Sequence, residues 1–250
     1  MTPPRLEADH VSKTFGSAKV LDDVRLVIEP GEIHALVGQN GSGKSTVVKI
    51  LTGYHHPDPG ARIALDGQPI GLPVQWREAN AAGMSVVHQD LGLVNDLTVS
   101  ENIGVGGFVQ SRLTRRIDWR RQEQVAAEIL ARLQIDVDPR TLVGRLPAAQ
   151  RAAVGIARAL RNQVDGAGLM ILDEATRALP KEHLRAFHDL VRRVAGAGVS
   201  VLVISHNLEE VLAVSDKVTV LRDGKVAAAG LDTASLTEDT IARHMLGKSV

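Results

Sequence analysis

Apolar positions along the chain follow two rhythms. Short runs at Leu6–Val11, Val24–Ile28, Glu32–Val37, Met84–Val87, Leu169–Leu172, Ser200–Ile204 and Lys217–Leu221 have the length and composition of strands. Between them, apolar residues recur at helical spacing: Val47, Val48, Ile50 and Leu51 within Ser45–Leu51, then Pro73–Ala82, Lys181–Ala195, Leu208–Ser215 and Glu238–Leu246. From Thr98 to Leu160 the helical rhythm takes over, with an amphipathic stretch at Trp119–Gln134 and another helix at Arg151–Leu160. Thr98-Val99-Ser100-Glu101 has capping-box spacing and marks a helix start. Pro30-Gly31, Gly53 and Asp66-Gly67 supply turns and stops. Strand–helix–strand alternation in the last third predicts parallel βαβ units. The pattern therefore predicts one α/β domain, its core at about 1–97 and 163–250, interrupted by a helical insert at about 98–162.

Composition narrows the function. With 250 residues, 44% of them hydrophobic, the chain can bury a sizeable core. No apolar run approaches the 18 or so residues of a membrane span. Met1-Thr2-Pro3-Pro4-Arg5-Leu6 lacks the apolar centre of a signal peptide. The expectation is a soluble, intracellular chain that reaches a membrane only through a partner. Lys+Arg 29 balance Asp+Glu 29, and aromatics are 2%, which argues against a protein that coats or stacks on nucleic acid. The absence of cysteine removes disulfides, thiolate catalysis and cysteine-ligated zinc or iron–sulfur sites, and fits a reducing compartment.

Two segments carry chemistry. Gly38-Gln39-Asn40-Gly41-Ser42-Gly43-Lys44-Ser45 matches G-x-x-x-x-G-K-[ST] between an apolar strand and a helix, and no second copy occurs. Glycines let the backbone curl so that successive N–H groups face phosphate oxygens, and the helix N-terminus adds partial positive charge. Lys44 brings a full charge towards the β- and γ-phosphates, and the Ser45 hydroxyl can ligate Mg²⁺. In Leu169-Met170-Ile171-Leu172-Asp173-Glu174, a buried strand delivers two acids at its carboxyl end, where open α/β sheets place ligand chemistry. Alone, these acids could simply cap the next helix. Coupled to the loop, Asp173 reads as a Mg²⁺ holder and Glu174 as the general base for an attacking water.

In this order the parts resemble the ATP-binding subunit of ABC transporters, across nearly the whole chain. Val11-Ser12-Lys13-Thr14-Phe15-Gly16, Leu51-Thr52-Gly53, His88-Gln89-Asp90-Leu91, Leu97-Thr98-Val99-Ser100-Glu101-Asn102-Ile103 and Val220-Leu221-Arg222-Asp223-Gly224-Lys225 are similar to the first half of bacterial sugar-importer ATPases of the ribose, galactose and xylose type. The resemblance implies a P-loop NTPase core with a mainly parallel sheet, an N-terminal antiparallel β subdomain and a helical insert. It implies ATP and Mg²⁺ as ligands, with Thr46 joining the loop in nucleotide binding. Phe15 would stack on adenine, Gln89 would reach Mg²⁺ and couple to the transmembrane partner, and His206, in Val203-Ile204-Ser205-His206-Asn207, would sense the γ-phosphate. The implied partners are transmembrane permease subunits, a second ABC ATPase domain and, indirectly, a solute-binding protein, at the cytoplasmic face of the membrane, with no nucleic acid. Such relatives carry two halves in one chain; both a lone half and a piece of a longer protein fit a sequence ending at Val250.

The pattern breaks in two places. The family's Leu-Ser-Gly-Gly-Gln, which serves the ATP on the opposing subunit, reads here Leu146-Pro147-Ala148-Ala149-Gln150. A hydroxyl and a backbone N–H are lost and two methyl groups gained, although Pro147 suits the first position of a helix. Asp-Glu-Pro-Thr-x-x-Leu-Asp becomes Asp173-Glu174-Ala175-Thr176-Arg177-Ala178-Leu179-Pro180. Groups that serve this chain's own nucleotide are kept, while those lent to a partner are degraded. This leaves two expectations open: an ATPase with unequal sites, or an ATP-binding half with little hydrolysis. Arg112, Arg115, Arg116, Arg120 and Arg121 around Asp118 read as a solvated helix face or a contact with lipid headgroups or a membrane subunit, and His55-His56 as loop.

Overall fold

The computed structural model describes residues 2–88, 90–111, 114–161, 163, 167–177 and 179–247. The chain divides into two units, Met1–Val86 with Val164–Glu174 and Val194–Val250, and Val87–Gln163 with Ala175–Arg193.

The first unit holds two sheets. β1 (Leu6–Phe15) and β2 (Ala18–Ile28) form an antiparallel hairpin, and β4 (Arg62–Leu65) and β5 (Gln68–Pro69) extend it in the order β2-β1-β4-β5. Both strands of the hairpin run further than the apolar runs predict, because ladder pairing carries on through polar positions to Phe15↔Ala18. Asp66 and Gly67 make the β4–β5 turn with φ of 48° and 73°, the doubly left-handed turn that Asp-Gly favours.

The second sheet has the order β10-β9-β3-β8-β7-β6, built from β3 (Ile33–Gly38), β6 (Met84–His88), β7 (Leu169–Asp173), β8 (Ser200–Ile204), β9 (Lys217–Arg222) and β10 (Lys225–Asp232). β3 runs parallel to β8 and β9, and β7 parallel to β8. Every residue of β3 is buried, as a strand covered on both faces requires. Its side chains alternate between two cores. Leu36 packs with Val47, Ile50, Leu51, Ile171 and Leu202, whereas Ala35 and Val37 pack with Val211, Val218, Val220 and Ile241. The α-helices of this unit are α1 (Lys44–Leu51), α2 (Trp76–Ala81), α7 (Leu208–Val214) and α8 (Glu238–Leu246). β10 has no counterpart among the predicted strands: Lys225-Val226-Ala227-Ala228-Ala229-Gly230 is poor in β-formers, and the strand exists through its antiparallel ladder to β9.

The second unit is mainly helical, with α3 (Val99–Gly104), α4 (Trp119–Arg132) and α5 (Ala148–Ala159), while α6 (Lys181–Gly196) begins in it. The capping box is present. Thr98 Oγ1 accepts from the Glu101 amide at 3.2 Å, and Glu101 Oε2 accepts from the Thr98 amide at 2.7 Å. α5 is a hub for its neighbours. Arg158 donates to the carbonyls of Leu91 (2.6 Å) and Gly92 (2.7 Å), and Arg161, just past the end of α5, donates to that of Gly104 (2.9 Å) at the end of α3. Pro147 occupies the cap of α5 rather than its first helical position. Its ψ of 155° is extended, its carbonyl accepts from the Arg151 amide, and it offers no side-chain cap. No described helix is long and apolar enough to cross a membrane.

Candidate functional site

β3 ends at Gly38 and the chain turns sharply into α1. A Cβ at Gly38 would stand 2.3 Å from the Leu221 carbonyl oxygen and 2.5 Å from Ser42 Oγ, so only glycine fits. Gly41 and Gly43 take φ of 82° and 107°, conformations that L side chains avoid. A Cβ at Gly43 would also meet Leu21 Cδ2 at 2.5 Å and the Val20 carbonyl oxygen at 3.2 Å, so the start of β2 flanks the loop. Gln39, Asn40 and Gly41 are exposed, Ser42, Gly43 and Lys44 buried, Ser45 exposed and Thr46 half-buried.

Gly43 caps α1 without a side-chain acceptor, and the first turn carries no acid. Its leading amides have no acceptor within the helix, so the N-terminus keeps its partial positive charge for an incoming anion. The Lys44 ammonium folds back onto the carbonyls of Gly38 (2.7 Å) and Gln39 (3.0 Å). Burial pushes this amine below the ordinary lysine value, while the charges of Glu174 and Asp173 pull it back up. The buried Ser42 hydroxyl has no hydrogen-bond partner among the described residues. A cradle closed to side chains, a helix start without an acid and an orphaned hydroxyl together fit a phosphate chain.

β7 brings Asp173 to its carboxyl end opposite Ile204 of β8. Glu174 follows with φ of 49°, left-handed for a non-glycine residue, and its amide donates to the Ile204 carbonyl at 3.0 Å. That strained backbone turns the carboxylate towards His206, whose Nδ1 lies 3.2 Å from Glu174 Oε1. The His206 side chain is 57% exposed and that of Glu174 25%, so the pair opens to solvent. Among the described residues no three His, Cys, Asp or Glu side chains could hold a metal alone. A Mg²⁺ held here would need oxygens from a bound phosphate chain, with the Ser45 hydroxyl and the Asp173 carboxylate as candidate protein donors.

Lys44, Asp173, Glu174 and His206 thus lie close to one another. Phe15 stands at the tip of the β1–β2 hairpin, 42% exposed, and β2 runs from there to the loop. Gln89 lies outside the described residues. The sequence pattern gives no hint of the left-handed Glu174, nor of His55, whose ring lies 5.0 Å from that of Phe15.

A strand, a glycine-lined turn and a helix start shaped for an anion, with two acids at the carboxyl end of β7, define a P-loop nucleotide-binding domain. The family model described as "ABC transporter" matches residues 21–177, well over half the chain. This chain therefore belongs to the ABC transporter family. It is 42% identical over 247 residues to the ribose import ATP-binding protein RbsA 1 of Rubrobacter xylanophilus, covering 99% of this chain and 48% of that protein. It is 38% identical over 254 residues to the ribose import ATP-binding protein RbsA 2 of Burkholderia pseudomallei, with 99% and 48% covered. The chain spans about half the length of the curated relatives it matches. A nucleotide-free ATP-binding cassette from an ABC transporter superposes with a TM-score of 0.79 at 24% identity, covering 98% of this chain and 100% of that one, a likeness of fold.

Proposed function

We propose that this chain binds and hydrolyses ATP to energise import of a sugar or similar small solute by an ABC-type transporter. The observation that carries the reading is Lys44 held in the loop beside the Glu174–His206 pair. The loop amides and Lys44 hold the β- and γ-phosphates, and Thr46 closes the first turn of α1 behind them. When bound, Mg²⁺ would neutralise charge on the phosphate oxygens, with Ser45, Asp173 and Gln89 as its protein donors. Glu174 accepts a proton from the attacking water, and His206 orients that carboxylate and faces the γ-phosphate. Products are ADP and phosphate. Named relatives support the class of solute, and the partners are permease subunits and a second ATPase domain, with a solute-binding protein acting through the permease. This places the chain peripherally on the cytoplasmic face of the membrane, away from nucleic acid.

The two nucleotide sites of such a pair are unequal. Pro147 at the α5 cap removes both the signature hydroxyl and a donor amide, and Pro180 stands immediately before α6. This chain's own nucleotide is hydrolysed with a partner's signature, while the site it completes for that partner is slow. The same observation favours a second reading, an ATP-binding regulatory half with little turnover.

Glu174→Gln separates the two. A catalytic chain should lose about 10²-fold or more in turnover and retain bound ATP. A silent binder would show unchanged, near-background turnover, which would contradict the first reading.

A further inference from the structure

The ring of Phe15 is held by a small aromatic and charged assembly that follows α1. His55 packs near-perpendicular to it, with centroids 5.0 Å apart and planes at 70°, and Tyr54 packs on the other partner, 5.1 Å from His55. The Lys13 ammonium lies 4.9 Å from the Phe15 centroid. One residue before the ring, Asp58 grips Thr14 twice, accepting from its amide at 3.1 Å and its hydroxyl at 2.7 Å, while the Asp58 amide donates to the Ser12 carbonyl at 2.8 Å. The His55 amide donates to the Lys49 carbonyl near the end of α1 at 2.9 Å. Held on one side in this way, Phe15 remains 42% exposed.

We propose that His55 is a positioning residue that fixes Phe15 as the stacking platform for the base of the bound nucleotide. The inference rests on the nucleotide reading above, with Phe15 as its base-stacking residue, and adds the group that holds that ring in place. An exposed phenylalanine samples several rotamers, and ordering it on ligand binding costs affinity. A perpendicular aromatic neighbour removes part of that cost beforehand. Asp58 fixes the backbone on which the ring sits, and the Lys49 carbonyl ties the platform to α1. One short helix therefore governs both ends of the ligand: its N-terminus meets the phosphates, and its last turn carries the support for the base. Burial, then the charges of Lys49 and Lys13, push the His55 imidazole below its ordinary value, so its charged form is disfavoured beside the two ammonium groups.

Calorimetric titration of the full chain with Mg·ATP and with magnesium inorganic tripolyphosphate, which has no base, tests this. For His55→Ala the expected result is an approximately fivefold weaker Kd for Mg·ATP with tripolyphosphate unchanged. His55→Tyr should restore the wild-type Kd, and Phe15→Ala should reproduce the selective loss. Adding His55→Ala to Phe15→Ala should cost nothing more, since both act on one ring. Equal weakening of both ligands by His55→Ala, or no weakening of either, overturns the proposal while leaving the nucleotide reading standing. A wild-type chain that binds neither ligand overturns the nucleotide reading, and the platform with it.

Discussion

Individual residues at this site are chosen by space and backbone conformation as much as by charge. Gly38 shows this most sharply, because its neighbours on both sides are a backbone oxygen and a buried hydroxyl that have little room to give. Gly38→Ala should destabilise the fold by about 1–3 kcal/mol and weaken nucleotide binding, read by chemical denaturation and calorimetry. Unchanged values for both would mean the loop is looser than the geometry here. The sequence exposes such residues when type and spacing carry the signal: the loop Gly38–Ser45 and the Asp173-Glu174 pair are legible for that reason. It hides those that depend on tertiary backbone. The left-handed φ of Glu174 arises from its amide bonding to Ile204 on a neighbouring strand, 30 residues away in the chain, and no local pattern encodes it. His55 matters through a ring 40 positions earlier, and in sequence it is only a loop histidine.

Elements are legible where apolar period and end signals agree, as in β3, α1, β8 and α3 with its capping box. They are lost where pairing overrides composition, as in the alanine-rich β10. The start of β3, at the end away from the phosphate-binding loop, carries a further feature, a polar network around the buried Glu32 and His34. His34 Nδ1 lies 2.5 Å from Glu32 Oε1, His34 Nε2 lies 2.8 Å from Thr219 Oγ1 on β9, and Lys217 reaches Glu32 Oε2 at 3.3 Å. Burial on its own would raise the Glu32 carboxyl, but hydrogen bonding and charge from His34, with help from Lys217, outweigh it and hold the group below its ordinary 4.5. The unfolded chain therefore takes up this proton at higher pH than the folded one. The stabilisation is present above the unfolded value and drains away as acid titrates the folded carboxylate. Thermal midpoints of the wild type should fall more steeply than those of Glu32→Gln as pH drops from about 5 to about 3. Parallel curves would show that the network contributes no pH-dependent stability.

At the scale of the molecule, the function proposed above gives the chain one set of groups for its own nucleotide and a weakened set for a partner's. The change proposed to weaken it is local in sequence, legible as Pro147-Ala148-Ala149, and the structure shows that the helix it opens still forms. Replacing Pro147→Ser, Ala148→Gly and Ala149→Gly together should raise the ATPase rate of the assembled pair by about 10²-fold at the site this chain completes. An unchanged rate would count against unequal sites. The solute and the partner surfaces leave no mark of comparable clarity in the chain. The four described arginines of the basic segment are exposed, and Arg121 is paired with Glu128 at 3.2 Å.

All of this depends on the glycine-lined turn and its lysine holding a triphosphate. Calorimetric titration of the wild type and of Lys44→Ala with Mg·ATP is the most direct test. Saturable binding by the wild type, weakened about tenfold or more in Lys44→Ala, is the predicted result. No heat from the wild type, or the same Kd in both proteins, would contradict it.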